Sequence, residues 1–78
     1  MHIGNSNISN LFIVIHQNKV LFIKSSLVDF VTEMKKHEPT IKNRNYFTNY
    51  FRDFNIYYYQ NPKTGKQYTF EKIINTKE

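Results

Sequence analysis

The stretch YYYQNPKTGKQYTF, residues 57–70, sets tyrosines on both sides of a turn and lays lysines beside them. Pro62 supplies the fixed φ that a type I turn wants, and Gly65 can take the left-handed conformation that follows, so a short bulged loop joins two strands. That register pairs Tyr59 with Tyr68 and Tyr57 with Phe70 on one face. Gln60 with Gln67, Tyr58 with Thr69 and Ile56 with Glu71 fall on the other. Four aromatics then share a face, and cross-strand aromatic pairs contribute up to about 1 kcal/mol each. The face reads as core beneath helices. Its alternative is an exposed stacking platform of Tyr57, Tyr59 and Tyr68, of the kind that single-stranded nucleic-acid binders use.

A second hairpin signal lies upstream, where LFIVI (11–15) and VLFI (20–23) flank HQNK. A two-residue turn at Gln17 and Asn18 pairs Ile15 with Val20 and Ile13 with Phe22 on one face. Val14 with Leu21 and Phe12 with Ile23 take the other. Both faces are apolar, whereas an antiparallel hairpin with one wet face alternates. Something must cover each side. Residues 1–10, rich in Asn and Ser, read as a flexible arm before a single domain over 11–78.

Between the hairpins the apolar period changes from two to 3.6. Ser26 is a good N-cap with Asp29 three residues on, and Leu27, Phe30, Val31 and Met34 fall at i, i+3, i+4 and i+7, one helical stripe. Lys35, Lys36 and His37 suit a helix C-terminus, and Pro39 stops the helix by restricting Glu38. A second helix runs from Thr40 or Asn45 to about Phe54, with the stripe Phe47, Tyr50, Phe51 and Phe54. The expected fold is α+β, in the order β-β-α-α-β-β: two antiparallel hairpins, in one small sheet, with two helices packed on one face. Two helices cover only one side of such a sheet. The second apolar face of the first hairpin therefore calls for a homodimer or a protein partner.

The chain has 78 residues, a length that buries about 60% of its unfolded surface and sustains one core. Seven Phe and six Tyr are enough to build that core, which excludes intrinsic disorder. With no cysteine there is no disulfide, thiol nucleophile or cysteine zinc site, and stability rests on packing or on a partner. The N-terminus lacks a basic n-region and a long apolar run, and no segment reaches the roughly 20 apolar residues of a membrane span, so the expectation is a cytoplasmic protein with no membrane association. Absence of alanine and abundance of Asn, Lys, Ile and Tyr suggest an AT-rich coding genome.

The net charge of +5 is unevenly distributed. In residues 1–34, Lys19 and Lys24 cancel Asp29 and Glu33, whereas residues 35–78 hold nine Lys and Arg against four acids. Such asymmetry points to a polyanion or an acidic protein surface, although a generic soluble surface also carries modest charge.

Catalytic chemistry has little to build on. Asp29, Glu33 and His37 follow one another at i, i+4 and i+8, so a carboxylate and an imidazole can touch, but ordinary solvated helix faces have the same spacing. His2 and His16 are isolated. TGKQ (64–67) lacks the second glycine and the Ser or Thr of a phosphate-binding loop. Ser6, Ser9, Ser25 and Ser26 have no His and acid arrangement around them. The expectation is a non-enzymatic protein with no catalytic residues, metal or cofactor.

Binding chemistry is better represented. A helix, a break at HEPT (37–40) and a second helix is the layout of a helix-turn-helix, with a longer linker that lacks the usual glycine. Around the second helix stand Lys42, Asn43, Arg44, Asn45, Thr48, Asn49 and Arg52. Arg reads guanine, Asn reads adenine, and Thr contacts the thymine methyl. The following hairpin can act as a wing, with Lys63 and Lys66 on phosphates. The first expectation is thus a small module that binds DNA or RNA through this basic surface. The second is a small inhibitor or adaptor, of the sort phages and mobile elements encode against bacterial host or defence machinery, bound to an acidic surface of a host protein or protein–RNA complex. The first hairpin either pairs two copies as a homodimer or offers a surface to a protein partner.

Overall fold

Gln17 and Asn18 take positive φ, 55° and 64°, the mirror-image two-residue turn whose twist matches that of its flanking strands. Strands β1 (Ser9–His16) and β2 (Lys19–Lys24) close antiparallel around it. The computed structural model describes residues 9–75. Most of the expected N-terminal arm, residues 1–8, lies outside them, while Ser9 and Asn10 already belong to β1 and pair with Asn75 and Ile74.

The register of this hairpin departs from the expected one. Ile15 faces Val20 as expected, but an irregularity leaves Leu21 as an extra residue, so that Val14 faces Phe22, Ile13 faces Ile23 and Phe12 faces Lys24. A single inserted residue flips every side chain beyond it. Here it turns Val14 and Phe22 to one side together and leaves Ile13, Ile15, Val20 and Ile23 on the other.

Helix α1 (Leu27–His37) begins at Ser26, whose hydroxyl accepts the Asp29 N–H at 3.0 Å. It buries Phe30, Val31 and Met34 as the stripe requires. Glu38, before Pro39, is already extended, and its N–H returns to the Met34 carbonyl. Helix α2 (Arg44–Asp53) has Asn43 as its N-cap and so starts one residue before Asn45, the later of the two expected starts; it buries Phe47 and Phe51. Phe54, expected to complete its stripe, is 58% exposed: the helix ends at Asp53, and the extended backbone of Phe54 (φ −130°, ψ 156°) takes it off the helical face.

Strands β3 (Ile56–Gln60) and β4 (Gln67–Asn75) pair in the expected register at all five positions, from Ile56 opposite Glu71 to Gln60 opposite Gln67. Asn61 organises their loop: its side-chain oxygen accepts the N–H groups of Lys63 and Thr64, and its carbonyl accepts the Gly65 N–H at 2.8 Å. Gly65 has φ +77°, and a β-carbon added there would meet nothing within 4 Å. Gly65→Ala is therefore a test of backbone strain alone. It should lower stability by about 1 kcal/mol, read as a lower urea midpoint at unchanged m.

One four-stranded antiparallel sheet results, in the order β2-β1-β4-β3. β1 and β4, from opposite ends of the chain, pair at its centre. Both helices cover one face. Phe30 is the hub of the core, with ring centroids 5.2 Å from Phe70, 5.7 Å from Phe12, 5.8 Å from Phe47 and 6.3 Å from Phe51.

Candidate nucleic-acid interface

The apolar side of α2 is held on the sheet, which decides what its other side can do. Phe47 meets Tyr57 edge-on at 5.1 Å and Phe70 at 5.8 Å, and the Tyr50 hydroxyl donates to the Ile56 carbonyl. The opposite stripe faces water. It consists of Asn45, Thr48, Asn49 and Arg52, at i, i+3, i+4 and i+7, with Arg44 beside it, and all five are exposed. A ten-residue helix offers this face over about 15 Å. Arg52 donates to the Asn49 side chain at 3.3 Å, which holds the guanidinium along the helix.

Two of the sequence candidates have structural duties. The Asn43 side chain accepts the Tyr46 N–H at 3.0 Å, so it is the N-cap of α2 and its oxygen is already committed. Lys42 places its ammonium 5.6 Å from the centre of the Tyr46 ring, a cation–π contact that leaves the charge at the surface.

A buried carboxylate fixes the end of the molecule from which Lys42 and Arg44 emerge. Glu38 is 4% exposed. It accepts Asn61 Nδ2 at 2.6 Å and the Tyr68 hydroxyl at 3.1 Å. Thr40 and the Tyr59 hydroxyl share a further hydrogen bond. The segment between the helices is thereby tied to the β3–β4 loop, which brings Lys63 and Lys66 to the same end as the start of α2. Arg52 lies at the far end, where it borders an open hollow of about 250 Å³ with Asn10, Thr48 and Lys72. Lys72 is engaged there, donating to the Phe51 carbonyl and so closing the C-terminus of α2. Sequence reasoning read Glu38 only as the residue before a proline, and a lone acid in that position gives no signal of its burial.

The aromatic alternative is corrected by burial. Tyr68 is 6% exposed, and Tyr57 and Tyr59 are half-buried among Phe70, Tyr46 and Tyr50, so this face is core and no open stacking platform. Burial, with Tyr46 beside it, raises the Tyr57 phenol above its ordinary value of 10.0. Burial, and then the hydrogen bond to Glu38, does the same to Tyr68. A phenol whose folded pKa is raised binds its proton more tightly in the native state, so its stabilisation is complete below pH 10 and is lost as pH rises beyond that value. Urea midpoints should hold between pH 8 and about 9.5 and then fall, and Tyr57→Phe should soften the fall.

His16 is structural. It stacks on Tyr68 at 4.5 Å, and its Nδ1 donates to the Gln67 carbonyl at 2.8 Å. Glu33 contacts Lys36 at 3.6 Å through one carboxylate oxygen and His37 at 3.7 Å through the other, on a helix face where neither pair is insulated from water. Among the described residues no three His, Asp or Glu side chains gather where they can hold a metal ion, and no helix is long and apolar enough to cross a membrane.

Charge is segregated between the two sides of the sheet. Lys24 and Lys72 register with Phe12, and Lys19 registers with His16, so the strand lysines lie on the helix-bearing side. Among the described residues the open face carries no Lys or Arg, and Glu71 is its one charged side chain. Comparison with protein-family models, with curated proteins and with solved structures gives no match.

Proposed function

We propose that this is a small non-enzymatic module that binds DNA or RNA through the water-facing side of α2 and the lysines of the β3–β4 loop. One observation carries the reading: Arg44, Asn45, Thr48, Asn49 and Arg52 form a free polar face on a helix whose other side is pinned to a sheet. Arginines at the two ends of this face, with Lys42, Lys63 and Lys66 beyond its N-terminal end, suit a row of phosphates. The asparagines between them suit base edges. As both helices lie flat on the sheet, the helix-turn-helix likeness is one of chain order, and recognition would use the outer side of α2 rather than a projecting helix.

Binding of a fluorescent duplex and of a single strand, followed against salt, tests this. Affinity should fall by about 0.9 log units per decade of salt for each phosphate neutralised. The exposed triple variant Lys42→Glu/Arg44→Glu/Arg52→Glu should keep its circular dichroism spectrum while its salt slope flattens by about one unit for each phosphate no longer neutralised. Salt-indifferent binding, or none, removes the proposal. Asn45→Ala/Asn49→Ala should instead spare non-specific binding and lower sequence preference, by about 1–3 kcal/mol for each base no longer read by a bidentate amide.

The open apolar face favours a second reading, a phage- or mobile-element-encoded inhibitor or adaptor acting on a protein or protein–RNA complex in the cytoplasm of a bacterial host. Capture of a protein partner that survives nuclease treatment would select it over the first.

A further inference from the structure

We infer that the sheet face turned away from the helices is a self-association surface, and that two copies of this chain pack sheet on sheet across it. The inference stands apart from whatever the helix side binds. Ile13, Ile15, Val20, Ile23, Tyr58 and Ile73 spread across all four strands on this face. Val20 is 56% exposed, Ile23 52% and Tyr58 76%. Scattered apolar residues on a surface need no explanation, but a sheet face that carries them on every strand, interrupted on β4 by Thr69 and Glu71, does.

Size and charge both fit a second copy as the occupant. Four strands at about 4.8 Å spacing and about six residues in length give a footprint near 400 Å², or roughly 600 Å² of accessible surface with the side chains standing up from it. Two such faces bury about 1,200 Å², the lower end of specific stable interfaces. A chain with a surplus of five positive charges must also avoid setting lysine against lysine. On this face it does, since the strand lysines are on the helix side, and two copies meeting here direct their charged helical layers outward in opposite directions. Aligned packing of two twisted sheets is the ordinary way to bury such surfaces.

Glu71 distinguishes a second copy from other occupants. It lies between Ile13 and Ile56 on the same face, and the ion pairs among the described residues do not include it. In a dimer of identical faces no cation arrives to meet it, so its desolvation opposes association. A foreign partner that had adapted to this face would offer it a Lys or Arg.

Size-exclusion chromatography with light scattering, across a dilution series, tests the inference. Wild type should have twice the chain mass of 9.5 kDa, and Val20→Lys/Tyr58→Lys, which alters two exposed side chains, should have the single mass with an unchanged circular dichroism spectrum. Glu71→Gln should tighten the dimer by about tenfold, because an amide is less costly to bury than a carboxylate. A wild type that stays monomeric throughout, a lysine variant that dimerises as well as wild type, or a Glu71→Gln chain that associates more weakly would each overturn it.

Discussion

Phe30→Ala should lower the stability of this protein by about 4 kcal/mol, the range for emptying a fully buried aromatic position. The side chain has no solvent exposure and touches rings from β1, β4 and α2. Its loss leaves a cavity where three elements meet, and these flat rings have little freedom to collapse into it. A domain of this length has a total stability of about 4–12 kcal/mol. The variant should therefore lose a third or more of the total stability, read as a urea midpoint lower by the same fraction at unchanged m. A matched truncation at the exposed Phe54 should change stability by less than about 0.5 kcal/mol. Equal effects at the two positions would contradict the assignment of Phe30 as the hub.

Glu38→Ala should have the next largest effect, about 2–4 kcal/mol. The buried Tyr68 hydroxyl and the Asn61 amide both lose their acceptor, and an unsatisfied buried polar group bears the full cost of its desolvation. Glu38→Gln keeps an oxygen for one of the two donors and should cost about half as much. The effect should also reach binding. Asn61 holds the β3–β4 loop, so releasing Glu38 frees the loop that carries Lys63 and Lys66 while α2 keeps its own cap at Asn43. At temperatures where Glu38→Ala remains folded, nucleic-acid affinity should fall although no cation has been removed. Hydrogen exchange of the Gly65 amide, bonded to the Asn61 carbonyl in the native loop, should accelerate in parallel. Unchanged exchange there would separate the buried carboxylate from the order of the loop.

How much of this was legible from the residues depended on whether the deciding signal was local. The β3–β4 pairing was readable in full because Asn61, Pro62 and Gly65 define the loop, and a defined loop fixes register. The α1 stripe and its Ser26 cap were readable for the same reason. The first hairpin was not, beyond its turn: Phe12 to Ile15 and Val20 to Ile23 are apolar throughout, so a pattern of period two gives no penalty for slipping by one residue. The bulge at Leu21 is chosen by the helices, which require Val14 and Phe22 on the same side. Phe54 was misplaced because apolar spacing continues past the residue at which the helix itself ends.

The candidate surface divides along the same line. Exposure of Arg44, Asn45, Thr48, Asn49 and Arg52 followed from the aromatic stripe opposite them, since a helix that buries one side must present the other. Nothing local showed that Lys72 closes the end of α2; the Asn43 cap is a local contact that the binding assignment of Asn43 passed over, and burial of Tyr57, Tyr59 and Tyr68 under the helices was one of two readings their register allowed.

Turn chemistry and apolar period, both properties of neighbouring residues, determined by themselves the element order, the second hairpin and the faces of both helices. Only the tertiary structure decided that β1 and β4 are the strands that join the hairpins, that Glu38 ties two distant loops together, and that among the described residues the strand lysines all lie on the helix side of the sheet. Each of these depends on contacts between residues far apart in the chain, whose free energy comes from shared burial and is written in no single segment.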